Sequence, residues 1–135
     1  MKRNESHRSG LTAGDEMRHW RIPTAVKRAV EIMLEKKAET IVILKLKGIS
    51  QMTDYLVISQ GNSGRQNKAI ADAVQENLKK EFKMRPLGVE GMQQADWILV
   101  DYVDFVVNIF LPETRNKFAL EKLWMDAKRY LFNAG

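Results

Sequence analysis

The 135-residue sequence contains no cysteine. Disulfides, thiolate metal sites and thiol catalysis are therefore excluded. Histidine is nearly absent too: His7 and His19 are the two, and both lie in the N-terminal stretch. Imidazole general-base chemistry and multi-histidine zinc sites are thus not expected in the body of the chain. No apolar run reaches the ~18 residues that a membrane-spanning helix needs. The most apolar segment, Phe105–Leu111, is short and contains Asn108. The first twenty residues carry no apolar stretch of the secretory kind, so a cytoplasmic location is expected. Proline is scarce, with 3 residues, and aromatics make up 8%.

What is present is a globular composition, 44% hydrophobic and 29% charged. Lys+Arg number 22 and Asp+Glu 17, for a net charge of +5. That mild excess suits an anionic neighbourhood without requiring one. Residues 1–21 read as a basic, flexible tail, rich in Ser, Gly and Arg and without apolar periodicity. Residues 22–135 read as one α/β domain.

Within the domain, Val26, Val30, Met33, Leu34 and Lys37 fall on one stripe of a first helix, the last as a snorkelling lysine. Thr40–Leu46 and Asp54–Ser59 read as strands, the first apolar on both faces and so interior. Asn62-Ser63-Gly64 opens a second helix that buries Ile70, Ala73, Val74, Leu78 and Phe82. Pro86–Gly91 reads as a short edge strand. Asp96–Tyr102 and Asp104–Leu111 form a tight hairpin, and Pro112 ends it. From Glu113 a last helix is expected to run to Leu131, through Leu120, Leu123, Trp124 and Ala127. The sum is a layered α/β sandwich with a mixed five-stranded sheet and three main helices, which invites comparison with a nucleotidyltransferase-like topology.

Three kinds of chemistry are open to such a domain. A nucleotidyltransferase-like enzyme needs paired carboxylates to hold Mg²⁺. Asp54, Asp96, Asp101 and Asp104 are the candidates, with the Gly61–Arg65 turn beside them, but no Asp-x-Asp pair occurs. Turn acids commonly accept from backbone amides instead, and the Gly61–Arg65 turn reads as a capped helix start rather than a P-loop. A direct RNA binder, for instance a ribosome-assembly factor, needs clustered cations. Lys36-Lys37 and Lys79-Lys80 are separated and interleaved with acids. A protein-binding module needs an apolar anchor. In the Asp96–Tyr102 strand Ile98 and Val100 are natural core residues, which leaves Trp97 and Leu99 on the other face. That face is either an exposed interface or covered by further helices.

The ordered set Asp54–Ser63, Gln66, Ala69–Asp72, Glu90-Gly91, Asp96–Tyr102, Val106-Val107, Phe110, Arg115, Leu120-Glu121 and Leu123-Trp124 resembles the Iojap family, the ribosomal silencing factors. The resemblance spans roughly residues 24–130. It implies a non-enzymatic, cytoplasmic protein without cofactor or metal. Such a protein binds the large ribosomal subunit through ribosomal protein fourteen, blocks joining of the small subunit, and is often a homodimer when free. Any contact with ribosomal RNA would be secondary. It also implies a partner surface on Trp97, Leu99 and Asp101, with Tyr102 and Glu90 as neighbours. Lys45, Leu56, Val103, Asn108 and Phe118 depart from the family's usual residues. Val103 stands where a hairpin glycine is usual, so the turn must take another shape or be strained.

Overall fold

A computed structural model describes residues 21–132. The expected tail therefore lies outside the described residues, apart from Arg21. The chain runs α1 (Thr24–Glu35), β1 (Glu39–Lys45), β2 (Tyr55–Gln60), α2 (Gly64–Phe82), β3 (Gly88–Glu90), β4 (Trp97–Asp101), β5 (Phe105–Phe110), α3 (Pro112–Phe118), α4 (Leu120–Leu123) and β6 (Lys128–Phe132).

The sheet has the order β3-β4-β5-β2-β1-β6. Among the described residues only the β2–β5 pairing is parallel, because α2 returns the chain along one face and the two antiparallel steps β3–β4–β5 restore the direction of β2. The mixed α/β class is as expected, but the sheet has six strands rather than five. The sixth replaces the end of the last expected helix. That helix breaks at Ala119, which takes a left-handed φ of 47°. Leu120, Leu123, Trp124, Ala127 and Leu131 satisfy helical spacing, yet Leu131 is exposed while Tyr130 and Phe132 are buried. Alternation, not the 3.6-residue period, governs this segment, and it pairs antiparallel with β1. Lys37 also differs from expectation. Helix α1 stops at Glu35, and Lys37 is an exposed residue with φ 69°.

The two faces of the sheet differ. On one, Ile98, Val100, Phe105, Val107, Ile109, Val57 and Ile43 meet the buried stripes of α1 and α2. The two helices are joined by Arg28, which grips Glu81 through Nε and Nη2 at 2.8 and 3.0 Å. This pair is partly exposed, so it fixes register more than it adds stability. On the other face a second cluster gathers Val42, Leu44, Leu46, Ile58, Phe110 and Ala127, with Leu120 and Trp124 against it. It is roofed only in part by α3 and α4.

One buried cation holds that roof. The Arg115 guanidinium donates to both carboxylate oxygens of Glu121, at 3.2 and 3.0 Å. It also donates to the Thr40 carbonyl at 2.7 Å and to Gln60 Oε1 at 3.1 Å. The Thr40 carbonyl belongs to an irregular stretch of β1, with φ 48° and a shift in register against β2. All three nitrogens of Arg115 are thus engaged internally, tying α3 and α4 to the bulged strand.

Candidate functional site

Register determines which side chains share the partly open face. Leu99 pairs with Glu90 on one side and Asn108 on the other, and Asn108 with Ile58. Asp101 pairs with Val106, and Val106 with Leu56. Trp97 pairs with Phe110. Paired residues point to one side of a sheet, so Trp97, Leu99, Asp101, Glu90, Asn108, Val106 and Leu56 lie on one surface. Four of the five expected site residues, Trp97, Leu99, Asp101 and Glu90, are brought together there.

Tyr102 is the fifth, and its placement corrects the expectation. It follows Ile98 and Val100 in phase, so its ring lies under the helices, stacked on Phe105 at 5.0 Å between centroids. It is buried, and its hydroxyl has no hydrogen-bond partner. Burial pushes the hydroxyl pKa up to about 12. Tyr102 supports the strand from behind and offers nothing to a partner on the Trp97 face.

Trp97 is neither fully exposed nor sealed in the core. Its indole stacks on Phe110 at 5.0 Å and tilts against Phe118 at 4.8 Å. Its Nε1–H donates to Asn108 Oδ1 at 2.9 Å. Asn108 is itself buried, and its amide donates to the Val57 carbonyl at 3.4 Å. A buried, hydrogen-bonded asparagine therefore fixes the indole's angle. Gly91, at φ 85°, packs against the Trp97 carbonyl so closely that a Cβ there would overlap it. This contact holds the start of β4 against the preceding loop.

Between the indole and the roof lies a groove of about 350 Å³. Trp97, Leu99, Leu56, Val106, Leu120 and Trp124 give it an apolar lining, with Asp101 on its rim. Asp101 is half-buried, and one carboxylate oxygen accepts from the Val103 amide at 2.7 Å. The other oxygen remains available to a partner. Glu90, at the sheet edge, is exposed.

The hairpin beyond Asp101 takes the strained option. Val103 has φ 73°, and the Asp104 amide donates back to the Tyr102 carbonyl at 2.9 Å. That is a γ-turn of the rarer, strained hand. Thr53 Oγ1 donates to the Val103 carbonyl at 2.9 Å and secures the tip.

The turn proposed for nucleotide chemistry is engaged otherwise, as is one carboxylate oxygen of Asp101. In the Gly61–Arg65 turn, Ser63 Oγ accepts from the Gln66 amide at 3.1 Å and Gln66 Oε1 accepts from the Asn62 amide at 2.7 Å. This is a reciprocal cap. Among the described residues no three His, Asp or Glu side chains are grouped to hold a metal ion, and no helix is long and apolar enough to cross a membrane.

Sequence reasoning missed the residues that complete the groove. Leu120, Leu123 and Trp124 line it because the chain turns at Ala119, while Phe118, just before the turn, tilts against the indole. Asn108 had a visible signal, a lone amide in the apolar run Phe105–Leu111.

The family described as "Ribosomal silencing factor during starvation" matches residues 20–133. The chain belongs to the ribosomal silencing factor family. It is 41% identical over 99 residues to "Ribosomal silencing factor RsfS" of Halalkalibacterium halodurans, covering 73% of this chain and 84% of that one. It is 33% identical over 98 residues to mouse "Mitochondrial assembly of ribosomal large subunit protein 1", covering 70% of this chain and 42% of the relative. A crystal structure of a Chromobacterium violaceum protein superposes with a TM-score of 0.71 at 34% identity, over 75% of this chain and 83% of that one. Family membership agrees with the resemblance carried by Asp54–Ser63 and Asp96–Tyr102.

Proposed function

We propose that this silencing factor acts in the cytoplasm as a non-catalytic wedge. It docks on the large ribosomal subunit through ribosomal protein fourteen and keeps the small subunit away. When free it pairs with a second copy of itself. The observation that carries this reading is the Trp97 face: a half-buried indole, held at a fixed angle by Asn108, beside an apolar groove with Asp101 and Glu90 at its margins. A rigid aromatic anchor loses little entropy on binding, and its burial contributes a few kcal/mol. The two carboxylates suit a basic partner surface and would set orientation and on-rate. The mouse relative's name, which concerns assembly of the large subunit, supports the choice of subunit.

Co-sedimentation tests it. The chain should pellet with isolated large subunits, not with small subunits, and should lower the yield of joined ribosomes when added first. Leu99→Arg places a charge in the groove without touching the helix-side core, and should weaken large-subunit binding more than tenfold with an unchanged circular dichroism spectrum. Undiminished binding by the folded variant would remove this face from the docking role.

A further inference from the structure

Lys36-Lys37, which stand apart from other cations in sequence, do not stand apart in space. Gln66 Nε2 donates to the carbonyls of both, at 3.2 and 3.1 Å. The end of α1 is therefore bound to the first turn of α2, which holds Arg65 and is followed by Lys68. On α2, Asn67, Ile70 and Val74 are buried and mark the core side. Arg65 falls on the side away from it, and Lys68, one turn on, lies next to it toward Gly64. Gly64 in turn packs against Ala95, and the Asn67 amide donates to the Ala95 carbonyl at 2.9 Å. Ala95 is two residues before Trp97. The four cations thus form a stripe that runs from the end of α1, across the start of α2, to the loop that delivers the indole.

All four are exposed, and among the described residues none is in an ion pair. The acids nearby do not neutralise the stripe. Glu35 lies 3.6 Å from Arg28 and is turned to that network. Glu31 and Glu81 belong to the same network, so the remaining carboxylates on the adjoining elements are Glu39, Asp72 and Glu76, three against four positive charges.

We propose that Lys36, Lys37, Arg65 and Lys68 contact the phosphate backbone of ribosomal RNA beside the protein-docking face. The inference rests on the large-subunit reading above. Unpaired cations spaced over two elements, with no base-reading aromatic among them, suit sequence-independent phosphate contact that positions the molecule. The apolar Trp97 groove would supply recognition of the protein, and the cationic stripe would supply orientation and rate.

The test is the salt dependence of binding, measured on intact large subunits and on large-subunit RNA stripped of protein. Each phosphate contact contributes roughly 0.7–0.9 to the slope of log affinity against log salt. The fourfold variant Lys36→Gln, Lys37→Gln, Arg65→Gln, Lys68→Gln should lower that slope by about three units on both targets. All four positions are exposed, so circular dichroism should be unchanged. The charge-conserving pair Arg65→Lys, Lys68→Arg should keep the wild-type slope. Leu99→Arg should weaken binding to intact subunits and leave the slope on bare RNA as it was. An unchanged slope in the fourfold variant overturns the proposal. A slope that falls on intact subunits but not on bare RNA also overturns it, since the stripe then meets an acidic protein. If the wild type binds bare RNA through the stripe yet fails to bind intact subunits, the RNA contact stands and the docking reading fails.

Discussion

Replacing Val103 with glycine should stabilise this protein, although it deletes a side chain. Val103 sits at φ 73° in a three-residue turn. A β-branched residue held there costs about 1–3 kcal/mol. Its side chain returns little, because Val103 is 54% exposed. The bonds that shape the tip involve its backbone, from its amide to Asp101 and from Thr53 to its carbonyl, and they survive the substitution. Against the relief stands the extra freedom of glycine in the unfolded chain, about 0.5–1 kcal/mol. The balance is a gain of about 1 kcal/mol. For a domain of this size that is a rise in Tm of about 4 °C. Urea unfolding is the assay, with the midpoint moving up and the m-value unchanged. Val103→Ala is the control, because a Cβ keeps the strain, and it should stay within about 0.5 kcal/mol of wild type. If Val103→Gly is no more stable than wild type, or Val103→Ala gains as much, the turn is not strained in the way described.

Two further outcomes concern residues behind the docking face. Tyr102→Phe removes a buried hydroxyl that has no partner, so it should raise stability by about 1 kcal/mol and leave large-subunit binding unchanged. In wild type that hydroxyl is held neutral up to about pH 12, whereas an unfolded tyrosine ionises near 10. The unfolded state therefore loses its proton first, and stability should fall as pH rises from 10 to 12. Urea midpoints at pH 7 and 11 should show a smaller decline in Tyr102→Phe. Arg115→Met would leave Glu121 and the Thr40 carbonyl without their donor. We expect a loss of about 2–4 kcal/mol, with faster hydrogen exchange across residues 112–132 than across α1 and α2.

The core layer was legible in the sequence because its signals agree. Val26, Val30, Met33, Ile70, Val74 and Leu78 keep helical spacing and are all buried. Ile98 and Val100 alternate with Trp97 and Leu99, and that alternation separates the two faces. The C-terminal segment was not legible. Leu120, Leu123, Trp124, Ala127 and Leu131 fit one helical stripe, while Tyr130 and Phe132 fit a strand, and only pairing with β1 decides between them. Tyr102 shows the same limit at shorter range. Its place at the end of the anchor strand suggests a surface role, but its phase with Ile98 and Val100 puts it beneath the helices. Asn108 was visible as an oddity in an apolar run, yet its work depends on the Trp97–Phe110 register that brings the indole alongside. The stripe of cations was illegible for a related reason. Gln66 joins residues 36–37 to the start of α2, and its bonds to two carbonyls have no sequence signature.

The docking claim is tested most directly by placing a photo-crosslinking residue at position 99, in the groove, and at position 75, on α2 under the opposite face. With purified large subunits the account predicts a single strong adduct to ribosomal protein fourteen from position 99 and none from position 75. Equal labelling from both positions, or an adduct from position 75 alone, would contradict it.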